Sequence, residues 1–135
     1  MVRINHINLE KRGLLKFISP YEAEILQILW EERNLNSTQI QQYLLKNNRA
    51  LKIATVSGLL ARLEEAGYVT RETVKIDSKL RYVYSPIAGE KDMAELISHG
   101  IMEHLEEAFG SDFHEFIRTY LDNPLKENPA IGRIY

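Results

Sequence analysis

The chain has 135 residues, of which 44% are hydrophobic and 27% are charged, and this size and composition predict one globular domain, or a small domain with an appendage. It contains no cysteine, which excludes a disulfide scaffold, a thiolate zinc site and a cysteine nucleophile, and favours a reducing cytoplasm. The net charge of −2 hides a basic front part, residues 1–87 with 13 Lys and Arg against 9 Asp and Glu, which is expected to meet an anionic partner.

Three helices are predicted to follow an N-terminal arm of residues 1–18. The first begins after Ser19, which can cap a helix and form a capping box with Glu22, and it runs to about Trp30. Pro20 fits the first position of this helix, because proline lacks the N–H group that would go unbonded there.

The second and third helices show similar boundary signals. Asn36 can cap a short second helix that ends near Asn47. The third helix is predicted from about Lys52 to Ala66, with Gly67 as its stop. At ~100° per residue, apolar residues share one side of the third helix and small residues share the other. The inner side carries Ile53, Val56, Leu59, Leu60 and Leu63, and the outer side carries Ala54, Ser57, Gly58 and Ala61, flanked by Thr55 and Arg62.

After the third helix the apolar period changes to about two, which predicts an antiparallel hairpin. Its strands are expected from Tyr68 to Thr73 and from Leu80 to Ser85, with the strand ended by Pro86. Leu80, Tyr82 and Tyr84 are expected to share one face of it. The hairpin tip is basic, because its connection carries Lys75 and Lys79 and Arg81 lies just inside the return strand.

This order of elements indicates a winged helix-turn-helix domain at residues 19–87, so the predicted fold class is mainly α with a small antiparallel β-wing. The third helix would be the recognition helix, since a helix fits the major groove of B-DNA. Base reading is expected chiefly from Thr55, Ser57 and Arg62. The cations expected to meet phosphates are Arg49, Lys52, Arg62, Lys75, Lys79 and Arg81.

Gly58 lies on the outer side of this helix. Glycine inside a helix costs about 1 kcal/mol relative to alanine. Either a partner presses against Gly58 or the glycine is merely tolerated, and the sequence leaves both interpretations open.

Two helices are predicted in the rear part, residues 88–123, from Glu90 to Phe109 and from a capping Ser111 to Asn123, before a tail of residues 124–135. Their apolar residues exceed what a small front domain can cover, which predicts a homodimer interface. The alternative is that they fold back onto the chain's own winged helix. The interface residues are expected to be Met93, Leu96, Ile97, Ile101, Leu105, Phe109, Phe113, Phe116 and Ile117.

Several motifs together resemble the penicillinase-repressor and copper-repressor family over roughly residues 13 to 122. They are Tyr21-Glu22-Ala23-Glu24-Ile25-Leu26 with Leu29-Trp30-Glu31, Thr55-Val56 with Leu60, Arg62-Leu63 and Gly67, Arg81-Tyr82-Val83-Tyr84-Ser85-Pro86, and Phe109-Gly110-Ser111. The resemblance implies a homodimeric transcriptional repressor whose winged helix binds an operator half-site and whose C-terminal helices form the dimer interface. The family's cysteine metal sensor and its Asn-Phe cleavage site are both absent from this sequence, so the effector is unknown.

No enzyme, cofactor or metal site is predicted. His99, Glu103, His104 and His114 form no closed ligand set by their spacing. No apolar segment approaches the length of a membrane span. The expected partners are double-stranded DNA and a second copy of the chain, and the expected location is the cytoplasm. Two rival interpretations remain: a ligand-responsive regulator of the multiple-antibiotic-resistance type, and a winged helix that binds only protein.

Overall fold

The computed structural model describes residues 2–123; the predicted tail of residues 124–135 lies outside them. The described residues divide into two compact units, residues 2–97 and residues 98–123. The described elements are a single 3-10 turn at Gly13–Lys16, five α-helices and two strands. The helices are α1 (Pro20–Glu32), α2 (Ser37–Lys46), α3 (Ile53–Glu65), α4 (Glu90–Phe109) and α5 (Ser111–Asp122), and the strands are β1 (Val69–Ile76) and β2 (Lys79–Pro86). None of the described helices is long and apolar enough to cross a membrane.

The predicted starts of α1 and α2 are confirmed. The Ser19 side chain accepts a hydrogen bond from the backbone N–H of Glu22, and the Glu22 carboxylate accepts one from the N–H of Ser19. Asn36 and Gln39 form the same reciprocal capping box at α2. Each box satisfies backbone donors that an isolated helix start leaves unbonded.

The core of the first unit lies where α1, α2 and α3 meet. The inner side of α3 is fully buried at Val56, Leu60 and Leu63. Ile53 departs from the prediction because it is 42% exposed; the packed stripe begins one turn later, at Val56. The other fully buried side chains of this core are Ile25, Leu26, Leu29, Ile40, Leu44 and Tyr68.

The hairpin is longer and more tightly turned than its predicted form. Only Asp77 and Ser78 connect the strands, both with positive φ, as a type I′ hairpin turn requires. Lys75 and Lys79 therefore belong to the strands rather than to a loop. Leu80, Tyr82 and Tyr84 do share a face, but only Tyr84 is buried, because the outer half of the hairpin projects away from the helices.

Two contacts anchor the base of the hairpin in the first unit. Tyr84 pairs in an isolated antiparallel bridge with Leu35, which precedes α2. The indole N–H of Trp30 donates to the carbonyl oxygen of Ala88 at 2.9 Å. The fold class is thus confirmed: a winged helix-turn-helix domain, mainly α with a two-stranded antiparallel wing, precedes two further helices.

The second unit contains the later part of α4 and all of α5. Ser111 was predicted as a cap, but it is the first helical residue, because Gly110 with φ 54° takes the cap position and no side chain caps the helix. None of the α5 residues is buried. Among the described residues, its apolar side and that of late α4 are therefore largely exposed, most of all at Phe109, Phe116 and Leu121.

Candidate nucleic-acid interface

The outer side of α3 presents small, exposed side chains. Thr55, Ser57 and Gly58 are all exposed, as are Ala54 and Ala61, while Val56 and Leu60 hold the opposite side in the core. A methyl group built at Gly58 would meet no atom of residues 2–123 within 4 Å. The chain's own packing therefore does not require glycine there, and a surface of this shape can approach the floor of a DNA groove closely.

A groove of about 420 Å³ lies beside α3 and joins the two elements that were predicted to face DNA, α3 and the wing, to the start of α2. Its walls are the start of α2, the outer side of α3 and the wing. The lining residues are Asn36, Ser37, Thr38, Ser57, Ala61, Arg71, Arg81, Tyr82 and Tyr84. The structure thus brings Ser57 and Arg81 together at one site, whereas Arg49, Lys52, Lys75 and Lys79 lie outside this lining.

Arg71 is a site residue that the sequence reasoning missed. Its guanidinium pairs with Glu64 of α3 at 3.2 Å and lies 4.2 Å from the ring centre of Tyr82, a cation–π distance. Strand alternation could have identified it, because Arg71 pairs with Tyr84 in the register and so shares the face that packs toward the core. Arg71 and Arg81 give the groove two guanidinium groups.

The start of α2 adds positive potential to the same groove. Ser37 and Thr38 belong to the first turn of α2, where backbone N–H groups point out of the helix and the helix dipole is positive. Together with the two wing arginines, this first turn makes the groove chemically suited to an anionic oxygen such as a DNA phosphate.

Two of the predicted DNA-binding cations are paired with carboxylates of α1. The Arg62 guanidinium lies 3.5 Å from the Glu22 carboxylate, with the arginine side chain 66% exposed and the glutamate side chain 7% exposed. Arg49 lies 3.4 Å from Glu24. Both arginines are therefore oriented by the protein itself, although their exposed surfaces remain open to a partner.

The remaining predicted cations take part in no ion pair within the described residues. Lys52 is exposed at the N-cap of α3. Lys75 lies opposite Leu80 and Lys79 opposite Ile76, so the two lysines point to opposite faces of the wing tip. Positive charge is thus concentrated at the start of α3 and along the wing.

In residues 2–123, no three His, Cys, Asp or Glu side chains come close enough together to hold a metal ion. The histidine of α5, His114, instead lies 3.5 Å from Glu106 of α4, an ion pair when the histidine is protonated.

Comparison with known proteins gives a match to one family model. The model described as penicillinase repressor matches residues 18–129. Among solved structures, a transcriptional regulator from Thermotoga maritima is 25% identical over 78% of this chain and 72% of that one, with a TM-score of 0.46. A MarR protein from Peptoclostridium difficile is 20% identical over 76% of this chain and 65% of that one, with a TM-score of 0.44. No curated protein matches the chain.

Proposed function

Because the chain belongs to the penicillinase-repressor family and is a DNA-binding winged-helix transcriptional regulator, we propose that it acts as a homodimeric repressor of a pseudo-palindromic operator. Its family is one of regulators rather than enzymes. A repressor must occupy a promoter, so we expect the protein in the cytoplasm with the DNA.

The observation that carries the proposed binding mode is the slim outer side of α3 beside the cationic groove. Thr55 and Ser57 are exposed there and have hydroxyl groups that hydrogen-bond base edges. Few other donors are present on this side, so DNA shape and phosphate contacts would supply the rest of the recognition. Lys52 and the wing lysines would bind phosphates of the DNA backbone on either side of the protein's groove.

Arg62 and Arg49 would play a different part. Each is paired with an α1 carboxylate, which partly neutralises its charge and so weakens its attraction for a phosphate. We therefore expect them to contribute less to DNA binding than Lys52, Lys75, Lys79 and Arg81.

The second unit supports a homodimer by its exposed apolar side chains. Phe109 is 61% exposed, Phe116 51% and Leu121 74%, and burying such a side chain is worth about 1.5–3 kcal/mol. Met93 and Ile97 are already buried in the first unit, so the proposed interface depends on the residues that follow them. A two-fold dimer would place the recognition helices about 34–36 Å apart, or a multiple of that.

The test is a mobility-shift assay with DNA from upstream of the protein's own coding region and with a random duplex. We expect binding to the upstream DNA at least about a thousandfold tighter. Ser57→Glu, which puts a carboxylate at the centre of the outer side of α3, should weaken binding to both DNAs at least tenfold. Ser98→Glu, the same substitution at an exposed position of α4, is the matched control. Equal affinity for both DNAs, or no loss with Ser57→Glu, would contradict the proposal.

A further inference from the structure

A second cavity, of about 340 Å³, lies in the first unit away from the groove. It is formed by the N-terminal arm, the start of α1 and the end of α3. Its volume is at the lower end of the range for small-molecule sites in proteins. The lining residues are Arg3, Asn5, His6, Asn8, Lys11, Leu15, Phe17, Ile18, Ser19, Pro20, Glu22, Arg62, Glu65, Ala66 and Tyr68.

The arm that forms one wall of this cavity is attached to the rest of the unit. Val2 is 3% exposed, and the backbone N–H of Arg3 donates to the carbonyl oxygen of Ala66, the C-cap of α3, at 2.8 Å. Further along, the N–H of Asn8 donates to the carbonyl oxygen of Lys16 at 2.8 Å. The arm is thus folded back on itself and tied to the end of the recognition helix.

The lining carries three cationic residues, Arg3, Lys11 and Arg62, against two carboxylates, Glu22 and Glu65, so its net charge favours an anion. The buried carboxylate of Glu22 is already engaged: it accepts a hydrogen bond from the Ser19 hydroxyl at 2.6 Å and pairs with Arg62. Arg3 and Lys11, by contrast, take part in no ion pair among the described residues. Two cationic groups of the lining therefore have no anionic partner within residues 2–123.

The lining also has an apolar part. Leu15, Phe17, Ile18 and Pro20 contribute hydrocarbon surface to the lining, and Tyr68 contributes an aromatic ring. Sites for small organic molecules combine apolar surface with polar or charged groups that fix the orientation of the ligand, and this lining offers both kinds of surface. An inorganic anion would leave this apolar surface uncovered, whereas a carboxylic acid with a hydrocarbon body matches both parts.

We propose that this cavity binds a small monocarboxylate with an aromatic or aliphatic body, its carboxylate paired with Arg3 and Lys11 and its body against the apolar wall. Arg62 lines the cavity and is also part of α3, so the bound ligand contacts the recognition helix directly. This site is separate from the groove and does not rest on the proposed repressor function.

The test uses benzoate as the probe, with benzyl alcohol as its uncharged counterpart, and no DNA. Titration of the 15N-labelled full chain, followed by NMR, should show saturable shifts at the lining residues, including the Arg62 side-chain N–H. Benzyl alcohol should bind at least tenfold more weakly. The double variant Arg3→Gln with Lys11→Gln should weaken benzoate binding at least tenfold, whereas Lys91→Gln, an exposed cation outside the lining, should leave it unchanged.

The substitutions of Arg3 and Lys11 change side chains only, so the backbone hydrogen bond from Arg3 to Ala66 can still form. Well-dispersed amide spectra will verify that each variant folds. The single variant Lys11→Gln, far from that hydrogen bond, should by itself give a weaker form of the same loss. Absence of saturable shifts, equal binding of benzyl alcohol, or benzoate binding that is insensitive to both substitutions would overturn the proposal. None of these outcomes bears on DNA binding, which the mobility-shift assay tests independently.

Discussion

Glu22 illustrates how one side chain links two functions at the residue scale. Its carboxylate completes the capping box of α1 and also orients Arg62 of α3. The first role could be predicted, because Ser19 and Glu22 lie three residues apart in a recognised pattern. The second could not, because the pairing exists only once α1 and α3 have packed, and no local spacing encodes it.

Gly58 gives the sharpest residue-scale prediction about the interface. Since none of the described residues fills the space beside it, Gly58→Ala should raise the free energy of unfolding by about 1 kcal/mol through helix propensity. If DNA presses on this position, the same change should weaken DNA binding. Urea denaturation and a mobility-shift assay measure the two effects.

Gly89→Ala is the control for Gly58, because Gly89 also has open space around it and lies outside α3. It should leave DNA binding unchanged. Stabilisation by Gly58→Ala without any loss of DNA affinity would mean that the glycine is only tolerated and that DNA does not approach the helix there.

Tyr68 gives a prediction about pH. Burial, reinforced by the negative charge of Glu22, raises the pKa of the Tyr68 hydroxyl to about 12. In the unfolded chain this tyrosine ionises near pH 10. The contribution of Tyr68 to the stability of the folded state is therefore fully present below pH 10 and is lost as the pH rises toward 12. The loss in the free energy of unfolding should be about 2–3 kcal/mol.

Denaturant titrations of the wild type and of Tyr68→Phe between pH 9 and about 12 measure this loss. The phenylalanine variant should show a smaller decline, and the difference between the two curves isolates Tyr68 from the lysines that titrate in the same range. Parallel curves would show that the hydroxyl ionises as readily in the folded protein as in the unfolded chain.

At the scale of elements, the wing is where sequence and structure differ most usefully. Alternating apolar residues predicted the hairpin, but the Asp77-Ser78 turn could not be deduced from the pattern, because the preference of I′ turns for Asn-Gly or Asp-Gly does not single out this pair. The shorter turn extends both strands and places Lys75 and Lys79 on opposite faces.

Removing these two lysines tests the wing. Lys75→Ala with Lys79→Ala should lower affinity for all DNA sequences and reduce the slope of log affinity against log salt by about 1.8 per protomer, since each phosphate contact contributes about 0.9. Fluorescence anisotropy over a salt series measures the slope. The control, Lys46→Ala with Lys91→Ala, removes the same charge from exposed positions on α2 and α4.

An unchanged slope in the wing variant would show that the two wing lysines do not contact DNA phosphates. A slope that falls equally in the control would mean that only net charge matters. If the single substitution of Lys75 alone gives the whole effect, only the wing face that bears Arg71 contacts the duplex.

The start of α5 shows why element boundaries near glycine are harder to predict. Ser111 has the right side chain for a cap, but Gly110 reaches a positive φ that other residues rarely adopt. The chain therefore turns one residue earlier, and the serine becomes helical. The starts of α1 and α2, whose capping boxes lie in neighbouring residues, could be predicted without this difficulty.

At the scale of the whole molecule, the charge division along the chain separates two kinds of surface. The basic front part carries the α3 side and the wing, and the acidic rear part carries the open apolar faces of late α4 and α5. Composition and periodicity predicted both surfaces, because each depends on a local pattern. Neither pattern could predict the two cavities, since each is built from elements far apart in sequence.

The dimer is tested by a charge on the apolar side of α5. Phe116→Asp should raise the dimer dissociation constant roughly a hundredfold or more, because a two-fold interface loses the burial of each phenylalanine twice. Analytical ultracentrifugation measures the change. Thr119→Asp adds the same charge at an exposed polar position of α5 and should leave the dimer intact. A wild-type chain that sediments as a monomer would contradict the proposed homodimer.

NMR mapping of the protein surface that responds to a short DNA duplex at low ionic strength shows directly whether α3 and the wing bind DNA. If they do, amide signals will change along residues 54–61 of α3, at Ser37 and Thr38, and along the wing from Arg71 to Tyr82. Changes confined to α4 and α5, with α3 and the wing unperturbed, would contradict the proposed binding mode.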